Sequence, residues 1–520
     1  MHSFTSSCTI PPEGTNFVSS APIRGTLQIL WSSFSVLVLC TWSVVHLNVP
    51  PQVKVRTTTQ KLRRVLHRLL PKVGWMLFNV LAPEWIITKA LLDWLAVRQL
   101  QSRYKAQAAK DNVPWSKAHT HFANMGGFGV SFKHLSSIDS DHGTPSTAAA
   151  KTDLEGQPMS LSHPNDSLPK DFNWLEWAER IDKDEPQAYA ADAYKYSKKI
   201  LSESNATAQG WQIDDENSKL LAGLSASQVN VHFQQLSSTH QDFYLNIILL
   251  KANLWILDAT QLLEARELGI IDTLPNICED DLSDRDNSNL FIKVVAAGQT
   301  CWFGLQFLVR FANKQTNTQL EVMVFAFAVL SVAVYALAWN RPKDPEYTII
   351  LEAARHPNDR IELIKIAASG SYYITRRLRR TIWISNSQTS SAFGDTSLNK
   401  IYVLTTTASM FASFFGALHC IAWNFTFPSR IDQIMWQVSS IITTGAPLLF
   451  VFSATIIKVT PLKGVASDLT AIIGGLIFLI FIPSFIIARM FILVEVFRSL
   501  GFQPSQAFET TWANNIPHIG

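Results

Sequence analysis

Long apolar runs alternate with polar stretches along the chain. A helix that crosses a bilayer needs about 20 mostly apolar residues. Seven runs approach that length: 27–45, 73–95, 294–309, 320–339, 401–423, 434–457 and 469–487. The run 469–487 contains no charged residue, and two further apolar runs precede it closely. A soluble core rarely needs that, so the pattern predicts an integral membrane protein. The first run lacks a basic leader and a small-residue cleavage site, so it reads as a span and not a removed signal. The second is the weakest, because Glu84, Lys89 and Asp93 interrupt it. The predicted fold is an all-α, polytopic membrane helix bundle of six to eight spans, with long polar loops carrying short helices. Residues 1–96 hold N-terminal spans and a basic loop, 97–290 a long polar region, and 291–340 a central pair of spans. Residues 341–397 form a second basic loop, and 398–520 the C-terminal spans and tail.

Within the polar region, 131–170 is rich in Ser, Asp, Pro and Gly and reads as a loop. Residues 171–199 read as short surface helices. The stretch 243–268 has a long apolar run broken by Lys251, Asp258 and Glu264, which predicts an amphipathic helix. Arg376, Arg377, Arg379 and Arg380 form a basic cluster suited to lipid headgroups or to solvent. The loops 51–72 and 340–400 are both rich in Lys and Arg, which places each on the cytosolic side. Seven spans put them on opposite sides; a re-entrant second segment leaves six spans and lets both face the cytosol.

Charge and composition narrow the partners. The 520 residues carry 44 Lys+Arg and 41 Asp+Glu, a formal net charge of +3. Charged residues make up 16% and aromatics 11%. These values exclude a disordered chain and a nucleic-acid binder that relies on a strong positive field. Cys8, Cys40, Cys278, Cys301 and Cys420 show neither zinc spacing nor a disulfide framework. His119 and His121 have no HExxH context, so no metal and no cofactor is expected. Sequons occur at Asn165, Asn205 and Asn424.

An ionisable group within a membrane usually faces a cavity or a partner. Glu84 follows Pro83, where the helix is expected to kink. A buried, uncharged carboxyl there is suited to act as a general acid, or it marks a helix end. Gln299, Trp302, Gln306 and Arg310 share one helical face and either line a polar chamber or join helices. Glu321, Tyr335 and Trp339 share another face, with Glu321 placed to cap a helix. His419 and Trp423 are one turn apart, and Asp432 follows on the next helix. That combination suits a His–Asp proton relay beside cation-stabilising rings, or an interfacial aromatic belt.

Several runs carry a resemblance. They are Arg24-Gly25-Thr26, Cys40-Thr41-Trp42, His46-Leu47-Asn48-Val49-Pro50, Ala82-Pro83-Glu84 and Phe122-Ala123-Asn124-Met125-Gly126-Gly127-Phe128. Residues 299–310, Glu321, Trp339-Asn340-Arg341-Pro342, His419-Cys420-Ile421-Ala422-Trp423 and Pro517-His518-Ile519 complete the set. Together they resemble a large fungal family of multi-pass membrane proteins that includes membrane-bound terpene cyclases of ascochlorin- and ascofuranone-type meroterpenoid pathways. Asn340-Arg341-Pro342 and Asp432 depart mildly from that family's pattern. The resemblance implies protonation of a terminal epoxide on a prenylated aromatic, then cyclisation, without metal or cofactor, in the endoplasmic reticulum membrane. It transfers no catalytic residue. The residues themselves offer Glu84 or Glu321 as acid and His419 with Asp432 as base. Trp302, Trp339 and Trp423 serve as walls, and Gln299, Gln306 and Tyr335 as binding groups. The expected partners are a hydrophobic small molecule from the bilayer and membrane lipids, not nucleic acid. The alternatives are a transporter of a lipid or small solute and a non-enzymatic membrane scaffold.

Overall fold

The computed structural model describes residues 24–50, 57–135, 214, 216–217, 249–250, 252–283, 290–370, 372–373, 384–386, 388–389, 397–459 and 465–510. The readings over 136–199 and 376–380, and the sequons at Asn165 and Asn205, lie outside these residues. The helices are α1 (Thr26–Ser43), α2 (Thr58–Leu81), α3 (Pro83–Asp111), α4 (Lys117–Asn124), α5 (Ala259–Glu267) and α6 (Glu279–Ser283). They continue with α7 (Leu290–Ala312), α8 (Gln319–Leu337), α9 (Arg360–Ser369), α10 (Ser397–His419), α11 (Arg430–Val459) and α12 (Val465–Arg498). The strands are β1 (Phe128–Ser131), β2 (Leu254–Leu257), β3 (Ile349–Glu352), β4 (Tyr372–Tyr373) and β5 (Gln388–Thr389).

Among the described residues, five segments are long and apolar enough to cross a bilayer: Thr26–Ser43, Gln319–Leu337, Tyr402–Ala422, Arg430–Ile456 and Leu479–Phe502. They mark an integral membrane protein, mostly helical. Two of the seven expected spans are not among the five. The run 73–95 is not one helix: α2 stops at Leu81, Ala82 is non-helical (φ −145°, ψ 64°), and Pro83 opens α3. Proline is tolerated at a first helical position because that N–H has no intrahelical partner anyway. The run 294–309 does form a helix, α7, though it is not among the five.

The bundle is organised around α8. Its span is 67% buried, against 22–39% for the other four. α1, α3, α7 and α10 all pack on it, and α10, α11 and α12 follow one another side by side. A single core joins Ile29, Val36, Phe303, Phe307, Met323, Phe327, Phe415, Trp436 and Val496. The tightest approach is between α10 and α11. Pro447 cannot donate to the carbonyl of Thr443, one turn back. At that turn Ser413 Oγ donates to the Thr444 carbonyl (2.7 Å). A Cβ added at Gly416 would lie 2.6 Å from the Thr443 carbonyl carbon.

α3 spans about 44 Å and serves two bodies. Its first half packs in the bundle; Tyr104 and Ala108 in its second half enter a separate apolar core. That core holds Phe122, Phe128, Phe132, Trp255, Leu262, Ile271, Leu363 and Ile366. β1 pairs antiparallel with β2 (Phe128 opposite Leu257) and parallel with β3 (Phe128 opposite Ile349). The fold is therefore mostly helical, with a minor three-stranded sheet that the all-α expectation lacked. The amphipathic helix expected over 243–268 is instead, in its described part, strand β2, an Asp258 cap and the nine-residue α5. A strand buried on both faces reads as an unbroken apolar run, which periodicity cannot tell from a helix. β3 and α9 pack in the same core as β1, β2 and α5. Gly127 explains its own small size: a Cβ there would meet the Phe122 ring at 2.3 Å.

Ion pairs hold this second body to α3. Arg266 donates to both Asp111 oxygens (2.9 and 2.6 Å), and the Leu274 N–H adds a third bond. Tyr104 Oη donates to the Ala259 carbonyl (2.5 Å), and its ring stacks on Trp115 at 4.5 Å. His119 Nδ1 accepts from the Ser116 N–H (3.1 Å), while Nε2–H donates to the Ile277 carbonyl (2.8 Å).

Two outcomes follow from this packing. Gly416→Ala destabilises the detergent-solubilised protein by about 1–3 kcal/mol of overpacking, read as a lower melting temperature. Gly445→Ala, whose Cβ meets nothing within 4 Å, leaves it within about 0.5 kcal/mol. The second outcome concerns His121, buried in α4. Burial first, then the charge of Arg341, pushes its pKa down from 6.5 to about 3. Below about pH 6.5 the unfolded chain therefore binds a proton that the folded one refuses. Stability is full above that pH and falls by about 1.4 kcal/mol per unit toward pH 3. Denaturant melts of His121→Phe against wild type at pH 7 and pH 5 measure the difference, which shrinks if the imidazole is not buried neutral.

Candidate functional site

The break between α2 and α3 places Glu84 in the first turn of a helix, where a carboxylate faces the positive end of the helix dipole. The Ala82 N–H still bonds to the Phe78 carbonyl (2.8 Å), and Thr88 Oγ1 donates to the Glu84 carbonyl (2.6 Å). The side chain is 6% exposed, and it is paired: Arg489 Nη1 on α12 donates to Oε1 at 3.1 Å and lies 3.0 Å from Oε2. The expectation of a lone uncharged carboxyl is thus corrected to an ion pair. A charge in an apolar medium is tolerated when an opposite charge and hydrogen bonds accompany it. The guanidinium also sits over the rings of Phe415 (4.7 Å) and Phe485 (5.5 Å), a cation–π arrangement.

His419 ends α10 on the same cavity. Nδ1–H donates to the Phe415 carbonyl (2.8 Å), so Nε2 is the acceptor of the neutral ring. The His419 carbonyl accepts the Trp436 indole N–H (3.2 Å), which locks the turn. Glu84, Arg489 and His419, with Trp85, Phe327, Phe415, Thr443 and Phe485, line a cavity of about 360 Å³. Its remaining walls, among them Met323, Leu81, Ile486 and Met490, are apolar.

The other sequence candidates lie elsewhere. Glu321 sits in a capping box with Thr318 and is clamped by Arg24 (2.5 and 3.2 Å). Arg24 Nε in turn holds the Ala507 carbonyl (2.9 Å). This is a structural clasp of chain start, α8 and the C-terminal turn, and it does not line the cavity. Arg310 reinforces it through Asn317, the Thr316 carbonyl and the Glu509 carbonyl. Asp432 is no partner of His419: it bonds Ser429 (2.7 Å) and pairs with Arg498. Trp423 is half-buried, and its carbonyl accepts from Gln437 (3.1 Å). Tyr335 donates to Ser43 in the seam between α8 and α1. Trp339 is exposed beyond α8. Gln299, Trp302 and Gln306 are half-buried on α7, away from the cavity walls. Lys89 and Asp93 join Arg341, whose Nη1 reaches Asp93 at 2.6 Å and whose Nη2 reaches Asn48 at 3.1 Å.

Sequence reasoning found Glu84 and His419 but not Arg489 as their companion. The available signal was Arg489 just past the uncharged run 469–487, legible as a salt bridge to another helix, and Glu84 at another helix's start, two charges that each require a counter-ion. Phe415 and Phe485 carried no signal at all among so many apolar positions.

Arg489→Met strands the Glu84 carboxylate in the apolar cavity and destabilises the protein by about 3–5 kcal/mol. The double variant Glu84→Leu/Arg489→Met removes both charges and regains most of that loss. Thermal melts of the three proteins in one detergent measure this, and a double variant no better than the single one would show that the pair is not coupled.

Searches among curated proteins and among solved structures find no match. The pattern of one family matches residues 1–145 and 371–519, more than half of the chain, and these segments contain Glu84, His419 and Arg489 but not Glu321. The chain belongs to this family, a family of unknown function (DUF8562).

Proposed function

We propose that the protein is a membrane-bound terpene cyclase that opens a terminal epoxide on a prenylated aromatic and cyclises the chain, in the endoplasmic reticulum membrane. One observation carries the reading: a buried acid and a histidine acceptor line the same aromatic-walled, apolar cavity. Epoxide opening and ring closure conserve mass and oxidation state, so an acid and a base are the groups required. Arg489 holds Glu84 as a carboxylate at rest, so Glu84 acts through its minor protonated form, whose proton passes to the epoxide oxygen, which becomes a hydroxyl. Arg489 is placed to stabilise the carboxylate left behind. The cation that develops along the chain passes the faces of Phe415, Phe327 and Phe485, which attract positive charge. His419 Nε2 accepts the proton lost from carbon at the end, and return of that proton to Glu84 closes the cycle. Thr443 and the apolar walls exclude water that would otherwise quench the cation. Glu321 and Asp432, both held in structural ion pairs, have no part in this reaction.

Microsomes containing the protein, incubated with a prenyl-arene epoxide, yield a product of unchanged mass. Glu84→Gln slows this by about 10²–10⁴-fold. His419→Phe shifts the product toward a hydrated species, because the cation then loses its internal base. Failure to isomerise any member of a panel varied in chain length and arene sinks the proposal and leaves carriage of a lipid or small solute as the next reading to test.

A further inference from the structure

The cavity has a polar end and an apolar mouth. Glu84, His419 and Arg489 are buried or nearly so, whereas Leu81, Ile486 and Met490 on its wall are 47%, 53% and 44% exposed. Ile486 and Met490 lie on the spanning part of α12, and Leu81 is the last residue of α2. Apolar residues exposed at that depth face lipid. The mouth therefore opens sideways, into the bilayer, at the seam between α12 and the α2–α3 break.

At the polar end, one group lacks a partner. Arg489 Nη2 is buried and makes no hydrogen bond among the described residues, while Nη1 serves Glu84. Glu84 Oε2 likewise accepts no hydrogen bond. An orphaned buried donor of this kind is normally met by something that enters the site. The cavity of about 360 Å³ lies at the low end of ligand sites, which run from about 300 to 1,000 Å³. A long-chain amphiphile fits in part only, and the rest of it must pass through the lipid-facing mouth.

We infer that the ligand binds end-on from the bilayer. Its oxygen-bearing terminus goes in first and accepts a hydrogen bond from Arg489 Nη2, and its bulkier end stays in the seam beside Leu81, Ile486 and Met490. The inference rests on the cyclase reading only for the identity of that terminus, an epoxide. Recognition is then strict at the oxygenated tip and tolerant at the arene.

The test uses purified full-length protein in lipid nanodiscs and two photoactivatable probes, each a farnesyl arene with a diazirine on the ring. One carries a terminal epoxide; the other ends in the plain alkene. The epoxide probe is expected to label the segments around Leu81, Ile486 and Met490, at least tenfold above the alkene probe. Arg489→Lys retains part of that preference, and Arg489→Met abolishes it. Met490→Trp, which fills the mouth without touching the ion pair, lowers labelling by both probes while the protein still elutes as a monodisperse species. Equal labelling by the two probes, or ring-diazirine adducts at Phe415 and His419 in place of the rim, overturns the end-on inference. Labelling needs no turnover. Labelling as expected with no isomer formed sinks the cyclase reading alone, and isomer formed with the wrong labelling sinks this inference alone.

Discussion

A charge within an apolar phase has to meet its opposite, and the ion pair of Glu84 with Arg489 is where that requirement shapes this protein most. The pair ties the start of α3 to the C-terminal third of α12, elements far apart in sequence. The α2–α3 break, made by non-helical Ala82 and Pro83, puts the Glu84 carboxylate in the first turn of α3, where it meets α12. The cavity exists because both groups and the Phe415 and Phe485 rings stand around the space they share. The same requirement recurs at the edges of the bundle. Arg24 answers Glu321 at one end, and Arg341 and Lys89 answer Asp93 nearer the sheet body. Those two clusters hold segments together; the central pair also borders the cavity of about 360 Å³, and this separates a site from a clasp.

The rest of the architecture keeps that pair in place. α8 fills the middle of the bundle and α3, α7, α1 and α10 lean on it, so the wall formed by Met323 and Phe327 has little freedom to move. α3 runs on into the sheet body, where Tyr104, Asp111 and the paired strands fix its far end. A long helix anchored in two cores transmits little local motion, and Glu84 lies at its very start. Close packing of Gly416 on the Thr443 turn positions α10, and thereby His419, against α11. Precision at the cavity thus derives from its own wall, where Gly416 meets the Thr443 turn, and from the far anchor of α3 outside it.

Much was legible in the amino-acid order itself. Runs of about 20 apolar residues leave a polar backbone no partner in lipid except its own helix, so the membrane character and the helices α1, α8, α10, α11 and α12 followed from composition along the chain. The lone acid after Pro83 and the histidine ending α10 were also visible, because polar groups stand out against such a background. What the chain order did not contain was pairing. Asp432 was matched with His419 by nearness in sequence, yet Arg498 reaches it first across the next turn of structure. The run around Trp255 was apolar enough for a membrane-surface helix, but a β-strand enclosed on both faces needs the same residues. Segments on either side of the two central helices share one core, which no local pattern announces. Hydrophobicity and periodicity are properties of a neighbourhood along the chain and so determined which residues enter the bilayer. Counter-ions and cavity walls are properties of a neighbourhood in space, and only the packed helices decided that Glu84, Arg489 and His419 would meet.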